Sequence, residues 1–453
     1  MRTIKMLENY PPIHRIFDLY CQEEMAVFLD SSLKNHLGRY SVIGLFPYLT
    51  LVKGEQFTVN GKECGQEFEA YVKEYLESHR DENLTDLPIV SGAIGYFSYD
   101  YGRKKEGIES RYKKDVRIPE CILCFYDVFL VEDHAAHKMY LVANGKGKES
   151  KIRIEEILGK IAGIPKGTAE TAMEEISQKE LKVETNFEKE EYLRAVDEVI
   201  SHIIEGDIYI MNMTQQIRAY SDRTPYQVFQ KLRRDNPSPF GGYFQYGDFQ
   251  IVCASPERFL QMRQGHVVTR PIKGTRRRGR TKAEDEMLRE ELFRSEKDRS
   301  ELLMIVDLER NDLNRVCVPG SVKVTELFEV ETYATVFHLV ATVEGDLEKG
   351  KNVMDLLEAS FPGGSVTGAP KLRAMEIIDE LEHGRRGVYT GSIGYLTLDG
   401  GCDFNIVIRT ALCLDGVFHL GVGGGITCES EREFEYEETL QKAKAVLEAM
   451  KGA

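Results

Sequence analysis

Two pairs of carboxylates and one lysine could carry most of the chemistry open to this sequence. Asp298 and Glu301 stand three apart in a stretch opened by Ser295, and Glu435 and Glu438 stand three apart near the carboxyl end. On helices, each pair faces one way. Two helices aiming two carboxylates each at a shared point would give a hard cation such as Mg2+ its oxygen ligands. From spacing alone, two solvated acidic faces are the simpler reading. Lys273 falls in the turn-like stretch Pro271–Thr275, just ahead of Arg276, Arg277 and Arg278. The arginine run reads as a solvated loop, whereas burial of Lys273 would favour an uncharged, nucleophilic amine. The glycine-rich run 361–371 could present free N–H groups and the Thr367 hydroxyl to an anion, or form a plain tight turn. Gly421, Gly423, Gly424 and Gly425 either let backbone amides approach a carboxylate or let a strand bend.

The elements that must position these groups come in blocks. Residues 10–145 hold short β-rich runs such as Tyr48–Val52, Gln56–Val59 ahead of an Asn60–Gly61 hairpin turn, and Leu123–Leu130. Composition shifts to Lys, Glu, Ala and Ser over 146–185, which reads as a charged, partly helical linker. From 186 to 450 the pattern changes again. Val196, Val199, Ile200 and Ile203 predict a helix over Phe187–Glu205 closed by Gly206, with a strand at Ile208–Met213 after it. The stripe Ala374, Ile377, Ile378 and Leu381 predicts a helix after Pro370. Val388–Ile426 reads as successive strands with Asp399–Gly400 and Asp415–Gly416 turns, before a last helix over Glu433–Met450. Strands and helices that do not alternate strictly point to an α+β sandwich of antiparallel sheets flanked by helices.

Composition narrows the function classes. A net charge of −15 repels phosphate backbones and anionic membranes, so nucleic acid is not an expected partner. No aromatic residue is interleaved with Arg276–Arg278 for base stacking. Met1–Tyr20 holds no apolar segment of signal-peptide length and no later stretch is long enough to span a bilayer, which leads to a cytoplasmic expectation without membrane contact. The odd count of nine cysteines fits reduced thiols, and Cys121 and Cys124, within an apolar run, read as buried strand residues rather than metal ligands.

Six segments occur together in one order: Ser255–Phe259, Pro271–Thr275, Met304–Leu313, Phe337–Val340, the 361–371 loop with Arg373–Ile378, and Gly423–Ile426 with Glu435–Thr439. In type and order they resemble the chorismate-utilising enzymes, closely over 190–447 and more loosely through Leu29–Ser31 and Gly38–Gly44. The resemblance implies an anthranilate synthase-like fold, with an amino-terminal lobe at 10–145 and a chorismate-binding catalytic domain at 186–450. It implies Glu301 and Glu438 as Mg2+ ligands with Asp298 and Glu435 in support, which reverses the reading from spacing. Arg409, Tyr389, Thr367, Lys442 and the Gly423 amide become contacts to the substrate carboxylates, since a dianion in a partly dry pocket needs charge-assisted donors. His338 matches a histidine beside the ring.

Within the family, anthranilate synthases have Ala at the position of Lys273, whereas aminodeoxychorismate synthases have Lys. The resemblance therefore implies that Lys273 attacks C2 of chorismate while Glu257 protonates the departing C4 hydroxyl, and that ammonia then enters at C4 and expels the lysine. The expected product, 4-amino-4-deoxychorismate, leads to 4-aminobenzoate and folate. Anthranilate formation, or a catalytically silent chorismate-binding module, are the alternatives. No nucleophile-elbow Cys with a downstream His is evident, so ammonia is expected from a separate glutamine amidotransferase subunit. Three positions depart from the family pattern. Ile210 replaces a Gln, Asn314 stands where Gly is common and would tolerate positive φ, and Ile426–Ser430 is bulkier than usual. Leu29–Ser31 are expected to line a pocket like the one where anthranilate synthases bind tryptophan, here without a regulatory role.

Overall fold

The computed structural model describes residues 1–165, 181–333 and 336–452. Every strand pairing among them is antiparallel, and the pairings link the strands into one large sheet system flanked by eleven α-helices, the expected α+β sandwich. The long strands Tyr40–Lys53 and Cys121–Asp133 pair along almost their whole length. All thirteen residues of the second are buried, which places Cys121 and Cys124 inside the sandwich; all nine cysteines are free. The hairpin ahead of Lys62 turns through Asn60 at φ 49° and Gly61 at φ 74°, as the Asn–Gly pair predicts.

The amino-terminal strands are not a separate sheet. Val27–Asp30 pairs with Phe240–Tyr246, and Gly92–Phe97 pairs with Ser392–Thr397. Within the expected linker 146–185, Ser150–Ala162 forms a helix that buries Ile154, Ile157 and Ile161, and Lys182–Thr185 is a strand paired with Ile217–Tyr220. Residues 166–180 lie outside those described.

Three elements aim the expected site residues. The helix Glu296–Asn314 starts at Ser295, whose hydroxyl accepts the Asp298 N–H at 3.3 Å. Its buried stripe runs through Glu301, Leu302, Ile305, Glu309, Asp312 and Leu313, so acids occupy helical positions that apolar residues usually fill. Asn314 is its last helical residue and has no positive φ, so the departure from Gly there is accommodated by extending the helix rather than by a turn. The helix Arg432–Met450 lays Glu435, Thr439, Ala443 and Val446 against the strand Val417–Ile426, which pairs with Ile210–Tyr220. The predicted strand at 208–213 thus begins two residues later and runs seven residues further, because Val417–Ile426 offers it a full-length partner.

Lys273 does not sit in a turn. It lies on the strand Ile272–Arg277, paired with Val336–Val340 and bulged at Gly274, φ 70°. The arginines are likewise not a solvated loop. Arg276 pairs with Glu291 and Asp298, Arg277 with Glu284, and Arg278 with Asp285. The acids of the helix Lys282–Arg294 fold this strand end back onto themselves.

Candidate active site

Small residues make the space in which the site's charges meet. A Cβ at Gly425 would lie 3.4 Å from Lys273 Nζ, 3.4 Å from Ile210 Cδ1 and 3.6 Å from Glu301 Oε2. At the adjacent Gly424 it would lie 2.7 Å from Glu438 Oε2, 3.4 Å from Glu435 Oε2 and 3.5 Å from Lys442 Nζ. The strand end 423–425 therefore brings the lysine and three carboxylates from two helices into one neighbourhood. Lys273 is half-buried, and its amine donates to the Ser365 carbonyl at 3.3 Å.

The Ser365 side chain bonds to the Glu257 carboxyl, so one residue of the glycine-rich loop holds both the amine and the acid. Burial raises the Glu257 pKa above its ordinary value, against the lowering pull of the Ser365 bond and of Lys273. That direction keeps a carboxyl able to donate a proton. Behind it, Glu309 is pushed well up by burial and by the neighbouring Glu257 charge, with the Thr269 hydroxyl donating to it at 3.1 Å.

The expected metal acids are unequal. Glu435 is 2% exposed and Glu301 9%, and burial raises the Glu301 pKa. Glu435 accepts hydrogen bonds from Ser430 at 2.7 Å and from Lys297 at 3.4 Å. Glu438 pairs with Lys442 at 2.8 Å, and Lys442 also donates to the Gly423 carbonyl at 2.9 Å. Asp298 pairs with Arg276, 3.0 Å away, and its charge adds to the raising of the Glu301 pKa. Three carboxylates from two helices, two of them buried and balanced by lysines, fit a hard cation that keeps part of its water. Among the described residues, the only three-residue set whose ligand atoms lie within 4.8 Å of one another is His202, Glu205 and Asp207, near the end of the helix Lys189–Glu205. The expected metal acids are set wider.

The expected anion contacts line the same region. The partly buried Arg409 guanidinium has no hydrogen-bond or ion-pair partner among the described residues; burial lowers its pKa while the Glu257 charge raises it. A desolvated cation of this kind invites a carboxylate. Burial, reinforced by the Arg409 charge, lowers the pKa of His338 to about 4, and its Nδ1 lies 2.9 Å from the Thr275 hydroxyl. His338 is thus uncharged at neutral pH. The Tyr389 ring lies against Gly421, where a Cβ would come within 2.2 Å of it, and burial raises its pKa. Thr367 is fully buried, its hydroxyl donating to Gly363 O at 3.0 Å, while Gly423 lies opposite Thr214 in the paired strands. The sequence reading missed Ser365, Lys297 and Glu309. Lys297 carried a signal, being next to Asp298 and four residues before Glu301, whereas the role of Ser365 depends on the fold of the loop.

Leu29–Ser31 do line a cavity, of about 260 Å3, together with Tyr40, Pro239, Met262 and Tyr395. Asp30 is held by Arg233 at 2.7 Å and the Ser31 hydroxyl donates to Pro239 O.

A family model described as chorismate binding enzyme matches residues 28–448. Anthranilate synthase component 1 of Acetivibrio thermocellus is 37% identical over 451 residues, 95% of this chain and 91% of that protein. Aminodeoxychorismate synthase component 1 of Bacillus subtilis is 36% identical over 444 residues, 93% of each. The crystal structure of anthranilate synthase component I from Streptococcus pneumoniae superposes with a TM-score of 0.81 at 30% identity, covering 91% of this chain and 93% of that one. Relatives of similar closeness thus divide between two reactions, while the shared frame runs nearly end to end: the chain belongs to the family of chorismate binding enzymes.

Proposed function

We propose that the protein converts chorismate and ammonia to 4-amino-4-deoxychorismate. The observation that carries this reading is the Lys273 amine, held at Ser365 O beside Glu301 and electrostatically coupled to Glu257. In this reading the Lys273 nitrogen bonds to C2, both conjugated ring double bonds shift, and the C4 hydroxyl departs as water on the proton of Glu257. Ammonia then bonds to C4, both double bonds shift back, the C2–N bond breaks to release Lys273, and the proton lost by ammonia returns to Glu257. Two displacements deliver nitrogen to C4, whereas ammonia added directly would arrive at C2.

Arg409, Thr367, Tyr389, Lys442 and the Gly423 amide hold the substrate carboxylates, and neutral His338 lies beside the ring. When bound by Glu301, Glu435 and Glu438, Mg2+ supplies the positive charge that anchors the ring carboxylate. Ile210 can neither activate water nor hydrogen-bond ammonia, which argues against a hydroxylating reaction. Ammonia comes from a separate glutamine amidotransferase subunit, the product feeds 4-aminobenzoate and folate synthesis, and the enzyme works in the cytoplasm. Among the described residues no helix is long and apolar enough to cross a membrane.

The test is incubation with chorismate, Mg2+ and ammonium chloride, with and without a lyase that releases 4-aminobenzoate, alongside mass spectrometry of the intact protein. A chorismate-derived adduct on Lys273 and lyase-dependent 4-aminobenzoate are expected. Anthranilate fluorescence without the lyase would defeat the proposal in favour of the second reading, anthranilate synthesis, which the Acetivibrio and Streptococcus relatives keep in view.

A further inference from the structure

A buried ion pair stands beside the site without belonging to it. Arg386 and Glu382, with side chains 1% and 4% exposed, meet as a two-pronged fork: Nη2 to Oε1 at 2.6 Å and Nε to Oε2 at 2.8 Å. The remaining guanidinium donors are also spoken for. Nη1 reaches the Val366 carbonyl at 2.7 Å and the Thr390 hydroxyl at 3.3 Å, and Nη2 reaches the Asn212 carbonyl at 2.7 Å. Glu382 Oε1 also accepts the Thr214 N–H at 2.9 Å. The Tyr99 ring lies against the guanidinium, 4.7 Å from centroid to Cζ.

The hydrogen-bond partners of the pair lie on three separate pieces of chain, and each adjoins a group described above. Val366 precedes Thr367, Thr390 follows Tyr389, and Asn212 and Thr214 lie on the strand that begins at Ile210. Asn212 in turn donates its N–H to the Thr367 carbonyl at 2.8 Å. Thr390 has φ 59°, a conformation that a β-branched residue keeps only when its surroundings hold it. Arginine suits the junction because its planar fork can bind a carboxylate and still reach three oxygens; a lysine offers a point charge instead.

We infer that the Glu382–Arg386 pair is the positioning device of the substrate-carboxylate subsite, fixing Thr367 and Tyr389 at their separation without touching the substrate. This rests on the assignment of those two residues to the substrate carboxylates, and not on the lysine adduct. The test compares Arg386→Lys and Glu382→Gln with the parent in calorimetric titration with chorismate in the absence of ammonia, and in steady-state kinetics. For folded variants, chorismate affinity should fall and its KM rise by about tenfold or more, with the KM for ammonium unmoved. The same titration in a Lys273→Ala background should show the same loss, so failure of the lysine mechanism would leave this result intact. A folded Arg386→Lys or Glu382→Gln that binds chorismate within about twofold of the parent would overturn the inference. Failure of both variants to fold would overturn it too, by showing a strut for the fold rather than for the subsite.

Discussion

At the scale of single residues, the site depends on side chains that end near two glycines. Glu257→Gln keeps the shape of the acid but not its proton, and should lower kcat by about 10²- to 10⁴-fold with little change in chorismate KM. Lys273→Ala should lose both the mass-shifted adduct and lyase-dependent 4-aminobenzoate. Gly424→Ala would place a Cβ 2.7 Å from Glu438 Oε2, the movable end of a side chain, so the carboxylate should shift and the strand hold. Titration of activity with Mg2+ should then show a half-saturating concentration raised about tenfold, while chelation of Mg2+ should stop the parent enzyme. Gly421→Ala is the contrast. Its Cβ would meet the Tyr389 ring at 2.2 Å, and thermal denaturation should report a loss of about 1–3 kcal/mol. Lys273, Glu257, Glu301, Glu435 and Glu438 were legible as candidates through the family resemblance, and the fold brings Lys273, Glu301, Glu435 and Glu438 together at Gly424 and Gly425. Spacing puts Asp298 beside Glu301 but says nothing of Arg276, which arrives from another strand and pairs with it.

Individual elements were legible wherever one side faced solvent. The helix Lys189–Glu205 was found within two residues of its start, and Gly206 closes it at φ 86°, as predicted. The hairpin at Asn60 and the turns at Gly400 and Gly416 likewise follow from residues that tolerate positive φ. The acidic helix Glu296–Asn314 was harder to read, because its inward stripe contains Glu301, Glu309 and Asp312 and so lacks an apolar period. For the same reason little apolar burial secures its first turn, and the Ser295 cap matters. Ser295→Ala should cost about 1 kcal/mol in denaturant melts. It should also weaken the response to Mg2+, since Glu301 lies in the second turn of that helix. The strand of Lys273 was read as a turn because Pro271 and Gly274 punctuate it. The Gly274 bulge is what lets the strand continue past them.

Across the whole molecule, buried titratable groups pull stability in opposite directions with pH. Burial lowers His14, His134 and His338 each from an ordinary 6.5 to about 4. Between those values the unfolded chain binds more protons than the folded one, so these groups remove stability as pH falls from 6.5 towards 4. Glu309 is shifted the other way, its carboxyl raised well above 4.5. The folded state keeps that proton after the unfolded chain has released it, so this group removes stability as pH rises above about 4.5. Relative to the parent, His134→Gln should therefore gain thermal stability on acidification below pH 6.5, and Glu309→Gln should gain it on raising pH above 4.5. Melting curves across pH 4 to 8 would check both signs. The shift in composition over 146–185 was legible, but the pairing of strands on either side of it was not, since strand partners more than 200 residues apart leave no local mark.

That distant pairing reaches back to synthesis. Val27–Asp30 emerges from the ribosome about two hundred residues ahead of Phe240–Tyr246, and Gly92–Phe97 about three hundred ahead of Ser392–Thr397. Until those partners are translated, the early strands present bare amide and carbonyl rows to every other newborn chain. Phe240–Tyr246 also pairs with Phe249–Ser255, which runs directly into Glu257. Phe249–Ser255 pairs in turn with Thr410–Leu414, so the placement of Glu257 must wait for the last third of the polypeptide, and slow elongation should leave this protein more dependent on chaperones than its length alone would suggest.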